Sequence, residues 1–314
     1  MNAAVLLRLD AIRYVAQQTL SFEFAAPDGS PLPPATPGAH IGLHLPNGIM
    51  RQYSLIHTAE SMSSYEIAVK LDAKGRGGSR FMHESLRVGT QLPVEPPRNN
   101  FPLADEAGQS VFIAGGIGIT PILAMIERLA EVHRSFTLHY AVRARDELCY
   151  LSLLQRSCRP QLHVDAEHGG RVMDIAAIAA QAPPDAHLYC CGPGPMLAAF
   201  EASTRGRPEA NIHLEYFTPR EAASTDGSYT VVLGRSGREF PVRAGQRLLH
   251  VLREAGIEIS TSCEEGVCAS CETRILEGIP DHRDSILSPQ ERASGRTMMV
   301  CVSGSRSPRL VLDL

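Results

Sequence analysis

Cys263-Glu264-Glu265-Gly266-Val267-Cys268-Ala269-Ser270-Cys271 places three cysteines in one short stretch, and a fourth, Cys301, follows far downstream. The spacing is C-x4-C-x2-C and then a long gap. That is a thiolate spacing for a [2Fe–2S] cluster, and it differs from the even CxxC…CxxC of a zinc ribbon. A tight loop wraps three thiolates around the cluster, and the fourth arrives from a separate segment to complete the tetrahedron on the second iron. Small residues inside the loop, Gly266, Ala269 and Ser270, let backbone N–H groups approach the sulfurs, and such hydrogen bonds help to set the potential. A structural zinc site and a disulfide scaffold are the competing readings. On the iron–sulfur reading this region carries single electrons, and the rest of the chain must supply or accept them.

The flanks extend the pattern. Residues 229–233 and 238–242 read as a hairpin across Gly234-Arg235-Ser236-Gly237, and 248–255 as an amphipathic helix ended by Gly256. After the cysteine loop come a strand at 273–276, a short helical piece near 288–293, and Cys301. Hairpin, helix, loop and late fourth cysteine together resemble a plant-type β-grasp ferredoxin, an α+β domain spanning 229–314. Acidic and basic residues nearly cancel there, so electrostatic steering toward a partner is expected to be mild.

The whole chain has 314 residues, room for two or three domains at about 100–200 residues each. Its hydrophobic content of 44% and charged content of 20% are ordinary for a globular protein. A net charge of −4 without a Lys/Arg run argues against nucleic acid. No apolar run approaches the roughly 20 residues of a membrane span, and a secretory signal is not expected from the N-terminal residues. Eight cysteines in this length are not disulfide density. Cys149, Cys158, Cys190 and Cys191, outside the cluster set, are expected to be free thiols in a cytoplasmic protein.

Residues 1–105 alternate short apolar segments with Pro/Gly turns. Strands are expected at 6–15, 19–24, 40–45, 51–56, 65–71 and 91–94, which suggests a small antiparallel β-barrel. Two pieces could carry chemistry. Arg51-Gln52-Tyr53-Ser54 sets a cation, an aromatic ring and a hydroxyl on one strand. Lys74-Gly75-Arg76-Gly77-Gly78-Ser79 leads into a short helix at 79–86, and glycines at a helix start expose N–H groups to an anion. A cross-strand surface pair and a plain turn are the alternatives.

Residues 106–222 begin with a buried strand, 110–115, then Gly116-Ile117-Gly118-Ile119-Thr120-Pro121 and a helix. Strand, glycine turn and helix form the phosphate-cradling unit of parallel-sheet nucleotide-binding domains. Thr120 is expected at the cap and Pro121 at the first helical position. A strand follows at 137–142, then Arg143 and Arg145, which either bind a 2′-phosphate or are solvated. Leu188-Tyr189-Cys190-Cys191-Gly192-Pro193-Gly194-Pro195-Met196 gives another strand, turn and helix. Cys190 and Met196 also read as core packing. Residues 218–228 are polar, with Pro and Gly, and read as a linker.

Arg-x-Tyr-Ser followed by Gly-Gly-Ser resembles the flavin signature of ferredoxin-reductase-like barrels. Gly-Gly-x-Gly-x-Thr-Pro and Cys-Gly-Pro-x-x-Met resemble their pyridine-nucleotide signature. In this domain order, with Ala68-Val69-Lys70, Asp281-His282-Arg283-Asp284 and the terminal Leu310–Leu314 stretch, the full chain resembles the phthalate dioxygenase reductase family. The resemblance implies FMN, NADH and a [2Fe–2S] cluster, held by three domains at 1–105, 106–222 and 229–314. It places FMN on Arg51, Gln52, Tyr53, Ser54, Ala68, Val69, Lys70, Gly77, Gly78, Ser79, Thr120 and Phe217. It places NAD on Gly115, Gly116, Gly118, Thr120, Arg143, Cys191, Gly192, Pro193 and Met196. The metal ligands are Cys263, Cys268, Cys271 and Cys301. The implied activity is reduction of a terminal oxygenase, a Rieske protein acting on an aromatic or similar small substrate. The reductase is expected to be a monomer, with no membrane or nucleic-acid partner and no side chain acting as acid or base on carbon.

Overall fold

The computed structural model describes residues 4–314. Its contacts divide the chain into two units, one running to Glu215 and one comprising Tyr216–Leu314.

The first unit opens with β1 (Val5–Ala16), β2 (Thr19–Ala25), β3 (His40–His44), β4 (Met50–Ser54), β5 (Ser64–Lys70), α1 (Gly78–Glu84) and β6 (Gln91–Val94). The sheet order β4-β3-β6-β1-β2-β5 leaves β4 and β5 as its edges. Those edges meet just past β4, where Leu55 bridges to Ile67 and Ile56 N–H donates to Glu66 O at 3.0 Å. The contact closes an antiparallel barrel, which removes the exposed edges. Strand alternation sends Leu7, Leu9, Phe22, Phe24, Ile41, Leu43, Tyr65 and Ile67 inward, none more than 1% exposed.

A parallel sheet follows. Its elements are β7 (Gln109–Gly115), α2 (Ile119–Glu131), β8 (Ser135–Val142), α3 (Leu151–Ser157), β9 (Gln161–Val164), α4 (Ile175–Gln181), β10 (His187–Cys191), α5 (Gly194–Ser203) and β11 (Ile212–Glu215). The strand order is β11-β10-β7-β8-β9. The chain thus builds outward from β7 on one side, then returns to build on the other. The reversal falls between β7 and β10, a topological switch point whose carboxyl ends open a crevice.

Helix α2 is not one-sided in its first half. Every residue from Ile119 to Ile126 is buried. It packs on the sheet and also against Ala16, Ile56 and Ala68 of the barrel, in one shared core. Its start differs from the expected one. A 3-10 turn, Gly116–Gly118, runs directly into the helix, so Thr120 and Pro121 are its second and third residues. Thr120 Oγ1 therefore donates back to Ile117 O at 2.9 Å and does not cap. Pro121 still costs no hydrogen bond, because the first four helical N–H groups have no partner within the helix.

The second unit contains β12 (Tyr229–Leu233), β13 (Glu239–Val242), α6 (Leu248–Glu254), β14 (Glu272–Glu277), β15 (Pro280–Asp281), α7 (Pro289–Ser294), β16 (Thr297–Met299), β17 (Gly304–Ser305) and β18 (Arg309–Leu312). The mixed sheet runs β13-β12-β18-β14-β16, with β12 and β18 parallel. Leu248, Leu249 and Leu252 of α6 pack on Val231, Leu310 and Leu312, the α+β arrangement of a β-grasp.

The stretch expected as a linker is not free chain. Ser224 N–H donates to Val302 O at 2.7 Å, and its Oγ donates to Asp281 Oδ2 at 2.8 Å. Thr225 O accepts from Gly245 N–H at 2.8 Å. Ser224 is buried against the second unit, while most other polar residues of the stretch stay exposed.

Candidate functional site

At the switch point two glycine turns close on one another. A Cβ on Gly118 would lie 2.3 Å from Cys191 O, and one on Gly115 would lie 2.6 Å from Pro193 Cδ and 2.9 Å from Met196 Sδ. One on Gly192 would lie 2.7 Å from the same sulfur. Gly118 faces backbone that cannot give way, and Gly115 and Gly192 face Pro193 and Met196, because the two turns are already in contact. Met196 is therefore half-buried packing over the glycines, not interior core. This is a backbone-lined crevice at the carboxyl ends of β7 and β10, where a dinucleotide can approach closely.

Beside it lies a polar trio that spans barrel and sheet. The parallel register sets Cys191 opposite Ala114 on one side and Glu215 on the other. Cys191 Sγ donates to Glu215 Oε2 at 3.8 Å. The Ser54 hydroxyl is buried without a well-formed hydrogen bond, yet it lies near enough to Glu215 to favour the carboxylate. Burial wins, and it pushes Glu215 up to about 8 from an ordinary 4.5. Burial, with the Glu215 carboxyl beside it, also drives the Cys191 thiol well above its usual range. Both groups therefore keep their protons at neutral pH. Glu215 is not among the residues the sequence pattern singles out. A glutamate at a strand end carries no local signature, and only the strand register shows what it faces.

The expected flavin residues converge in part. A Cβ on Gly78 would meet Arg51 Cγ at 2.8 Å and Nε at 3.0 Å, so the Arg-x-Tyr-Ser strand and the glycine turn lie against each other. Gly77 has φ of 89°, a left-handed conformation that favours glycine. Ser79 Oγ accepts from Asp72 N–H at 3.0 Å, which braces this loop. Alternation along β5 divides its three candidates. Val69 points into the barrel core, Ala68 into the shared core with α2, and Lys70 Nζ reaches Glu147 Oε2 at 2.6 Å. The cradle of Arg51 and Gly78, with the buried Ser54 hydroxyl on the same strand, fits a phosphate-bearing flavin. Of the two cations after β8, Arg145 is bidentate to Glu167 at 2.6 and 2.8 Å, while Arg143 is exposed. Phe217 belongs to the second unit and is 38% exposed.

The four cysteines of the second unit are all buried, none more than 7% exposed. They form two pairs. A hydrogen bond between Cys263 and Cys268 lowers the second thiol and raises the first, and one between Cys271 and Cys301 lowers the former and raises the latter. Among the described residues no three Cys, His, Asp or Glu side chains draw close enough for a single metal ion. Two pairs of thiols suit two irons, with two thiolates each. Glu265 N–H donates to Cys263 Sγ at 3.3 Å, the kind of loop hydrogen bond expected of small, close-packed backbone. Gly266 has φ of 69°, and a Cβ there would lie 2.6 Å from Val302 Cγ2 and 3.0 Å from Asp284 Cα. Cys190, by contrast, is fully buried, as core packing requires.

Comparison with known proteins bears on both sites. Residues 231–304 match the 2Fe-2S iron-sulfur cluster binding domain, and residues 112–202 match the oxidoreductase NAD-binding domain. A solved phthalate dioxygenase reductase, described as a modular structure for electron transfer from pyridine nucleotides to [2Fe–2S], is 36% identical. The similarity covers 99% of this chain and 98% of that one, with a TM-score of 0.73. The chain belongs to the phthalate dioxygenase reductase family. Two further relatives match over nearly their full length. Phenoxybenzoate dioxygenase subunit beta of Ectopseudomonas oleovorans is 47% identical, covering 99% of this chain and 98% of the relative. Tetrachlorobenzoquinone reductase of Sphingobium chlorophenolicum is 46% identical, covering 96% of each. As a member of the family the chain is an NAD-dependent oxidoreductase with a [2Fe–2S] domain, and the crevice and the cysteine pairs are the features that fit those two roles.

Proposed function

We propose that this chain is the reductase component of a multicomponent oxygenase. It takes a hydride from NADH and delivers single electrons to a terminal oxygenase, a Rieske protein acting on an aromatic or similar small substrate. The observation that carries this reading is the presence, on one chain, of a glycine-lined nucleotide crevice and two buried cysteine pairs. Bound FMN would supply the chemistry that joins a two-electron donor to a one-electron [2Fe–2S] cluster, since a flavin can take a hydride and release electrons singly.

The residues divide this work. Gly115, Gly116, Gly118, Gly192 and Pro193 let the nicotinamide approach, and Arg143 reads the ribose end. Arg51, Gly77, Gly78 and Ser79 hold the FMN phosphate. Tyr53 and Ser54 line its ring, and the β5 backbone from Ala68 to Lys70 runs along it, with Gln52 and Thr120 completing the contacts. Glu215 keeps a proton on its carboxyl beside the hydride path, so no negative charge opposes hydride arrival. Cys263 and Cys268 ligate one iron, and Cys271 and Cys301 the other. The domains are assigned as 1–105 for FMN, 106–222 for NAD(H) and 229–314 for the cluster. No described helix is long and apolar enough to cross a membrane, and we assign the protein to the cytoplasm as a monomer.

The test is cytochrome c reduction by NADH against dye reduction. Cys268→Ser is expected to abolish the cluster and cytochrome c reduction, while ferricyanide reduction survives. Equal loss of both would overturn the order of the relay. The relative named as a tetrachlorobenzoquinone reductase favours a second reading, in which a quinone is the acceptor. On that reading quinone reduction would outpace delivery to any oxygenase.

A further inference from the structure

The cluster ligands come from two separate segments, the loop at 263–271 and the stretch around Cys301, and one side chain joins them. Arg247 stands at the N-cap of α6. Its Nη2 donates to Glu264 O at 3.0 Å and to Cys301 O at 2.5 Å. One of these carbonyls belongs to the neighbour of the first ligand, and the other to the fourth ligand itself. Arg247 Nε–H is buried and has no partner, so the guanidinium enters this region with a donor unspent. Among the described residues no carboxylate pairs with it there. Arg253, on the same helix, pairs with Glu264 Oε1 at 2.7 Å instead.

The local backbone explains why such a tie is needed. Glu264 has φ of 55°, a left-handed conformation that an L side chain adopts reluctantly. Nothing in the sequence of the loop favours it, since Glu264 is neither glycine nor asparagine. Arg247 fixes its carbonyl and Arg253 fixes its carboxylate, so helix α6 holds the strained residue from both ends. A half-buried guanidinium whose charge is not cancelled by a carboxylate also acts on whatever charge the four thiolates carry. Adding an electron to a thiolate-bound cluster increases negative charge, and a fixed cation nearby favours the reduced form.

We propose that Arg247 is the positioning residue of the cluster, which ties the two ligand-bearing segments together and whose charge raises the reduction potential. This rests on the four-cysteine assignment. The position acts through Cys301 and Glu264, since the side chain bonds their carbonyls and not a sulfur.

The experiment uses the full chain as isolated, with iron content and visible spectrum of the unaltered protein measured first. Absence of iron there would overturn the cluster assignment itself, separately from the role of Arg247. With the cluster present, Arg247→Gln keeps an amide donor and removes the charge. It is expected to release iron to a chelator several-fold faster and to shift the cluster's reduction equilibrium toward the oxidised form by about tenfold, about 59 mV for one electron. Arg247→Lys restores the charge and should hold the potential near that of the unaltered protein. An unchanged potential in Arg247→Gln with the cluster intact would overturn the proposal. If the Gln chain retains no iron, the Lys chain decides. Iron held at the original potential supports the proposal, and loss as complete as in Gln overturns it, because a charge at that place would then not suffice.

Discussion

Burial holds the Glu215 carboxyl far from its ordinary state. It is neutral at pH 7 and ionises near 8, against an ordinary 4.5. A carboxyl whose pKa is raised on folding favours the folded state fully at pH below the unfolded value, and this contribution is lost as pH rises through the folded value. Thermal stability is therefore expected to fall across pH 4.5–8 by a component that Glu215→Gln removes. Melting curves of both chains at several pH values check this, and parallel curves would contradict it. Gly118 makes a steric case. Its missing Cβ would lie 2.3 Å from the backbone oxygen of Cys191, which cannot swing away as a side-chain tip could. Gly118→Ala should cost about 1–3 kcal/mol in stability, and weaken NADH use more than tenfold in kcat/KM. Denaturant melts and steady-state kinetics would read the two effects separately.

Elements that carry strong local signals were legible in the sequence. The six barrel strands and the helix after Gly118 lie where alternation and turn residues put them, with ends shifted by a residue or two. No helix or strand is assigned from the sequence between the strand at 137–142 and the one at 188–191. Helices α3 and α4 there have seven residues each and β9 has four, too short for periodicity to build a signal. The cysteine spacing was legible because three ligands share one loop. The pairing of Cys271 with Cys301 was not, since it depends on where β14 and β16 place the later segment. The segment at 218–228 misled for a related reason. Serine, threonine and aspartate look the same whether they face water or a hydrogen-bonding neighbour, and Ser224 faces Asp281. That carboxylate also accepts from Arg283 Nε at 2.9 Å and Arg306 Nε at 3.2 Å. Asp281→Ala should destabilise the second unit by about 1–3 kcal/mol through the buried hydroxyl it strands. A lower unfolding midpoint of the second unit, with NADH-to-dye activity unchanged, would be the observation.

At the scale of the molecule, the order of the units matches the order of electron flow. A nucleotide crevice at the switch point of a parallel sheet is fused to an antiparallel barrel through the shared core around α2. A separate β-grasp unit carries the two thiol pairs. Charge does little to arrange a partner, because acidic and basic residues nearly cancel over 229–314. The central claim is that one chain converts a hydride into single electrons. An anaerobic titration with NADH, followed by visible absorbance after iron and flavin content are measured, tests it most directly. About one FMN and about two irons per chain are expected. Both should be reduced together by about one and a half equivalents of NADH, two electrons for the flavin and one for the cluster. Flavin that NADH reduces while the iron–sulfur absorbance stays unchanged would contradict it.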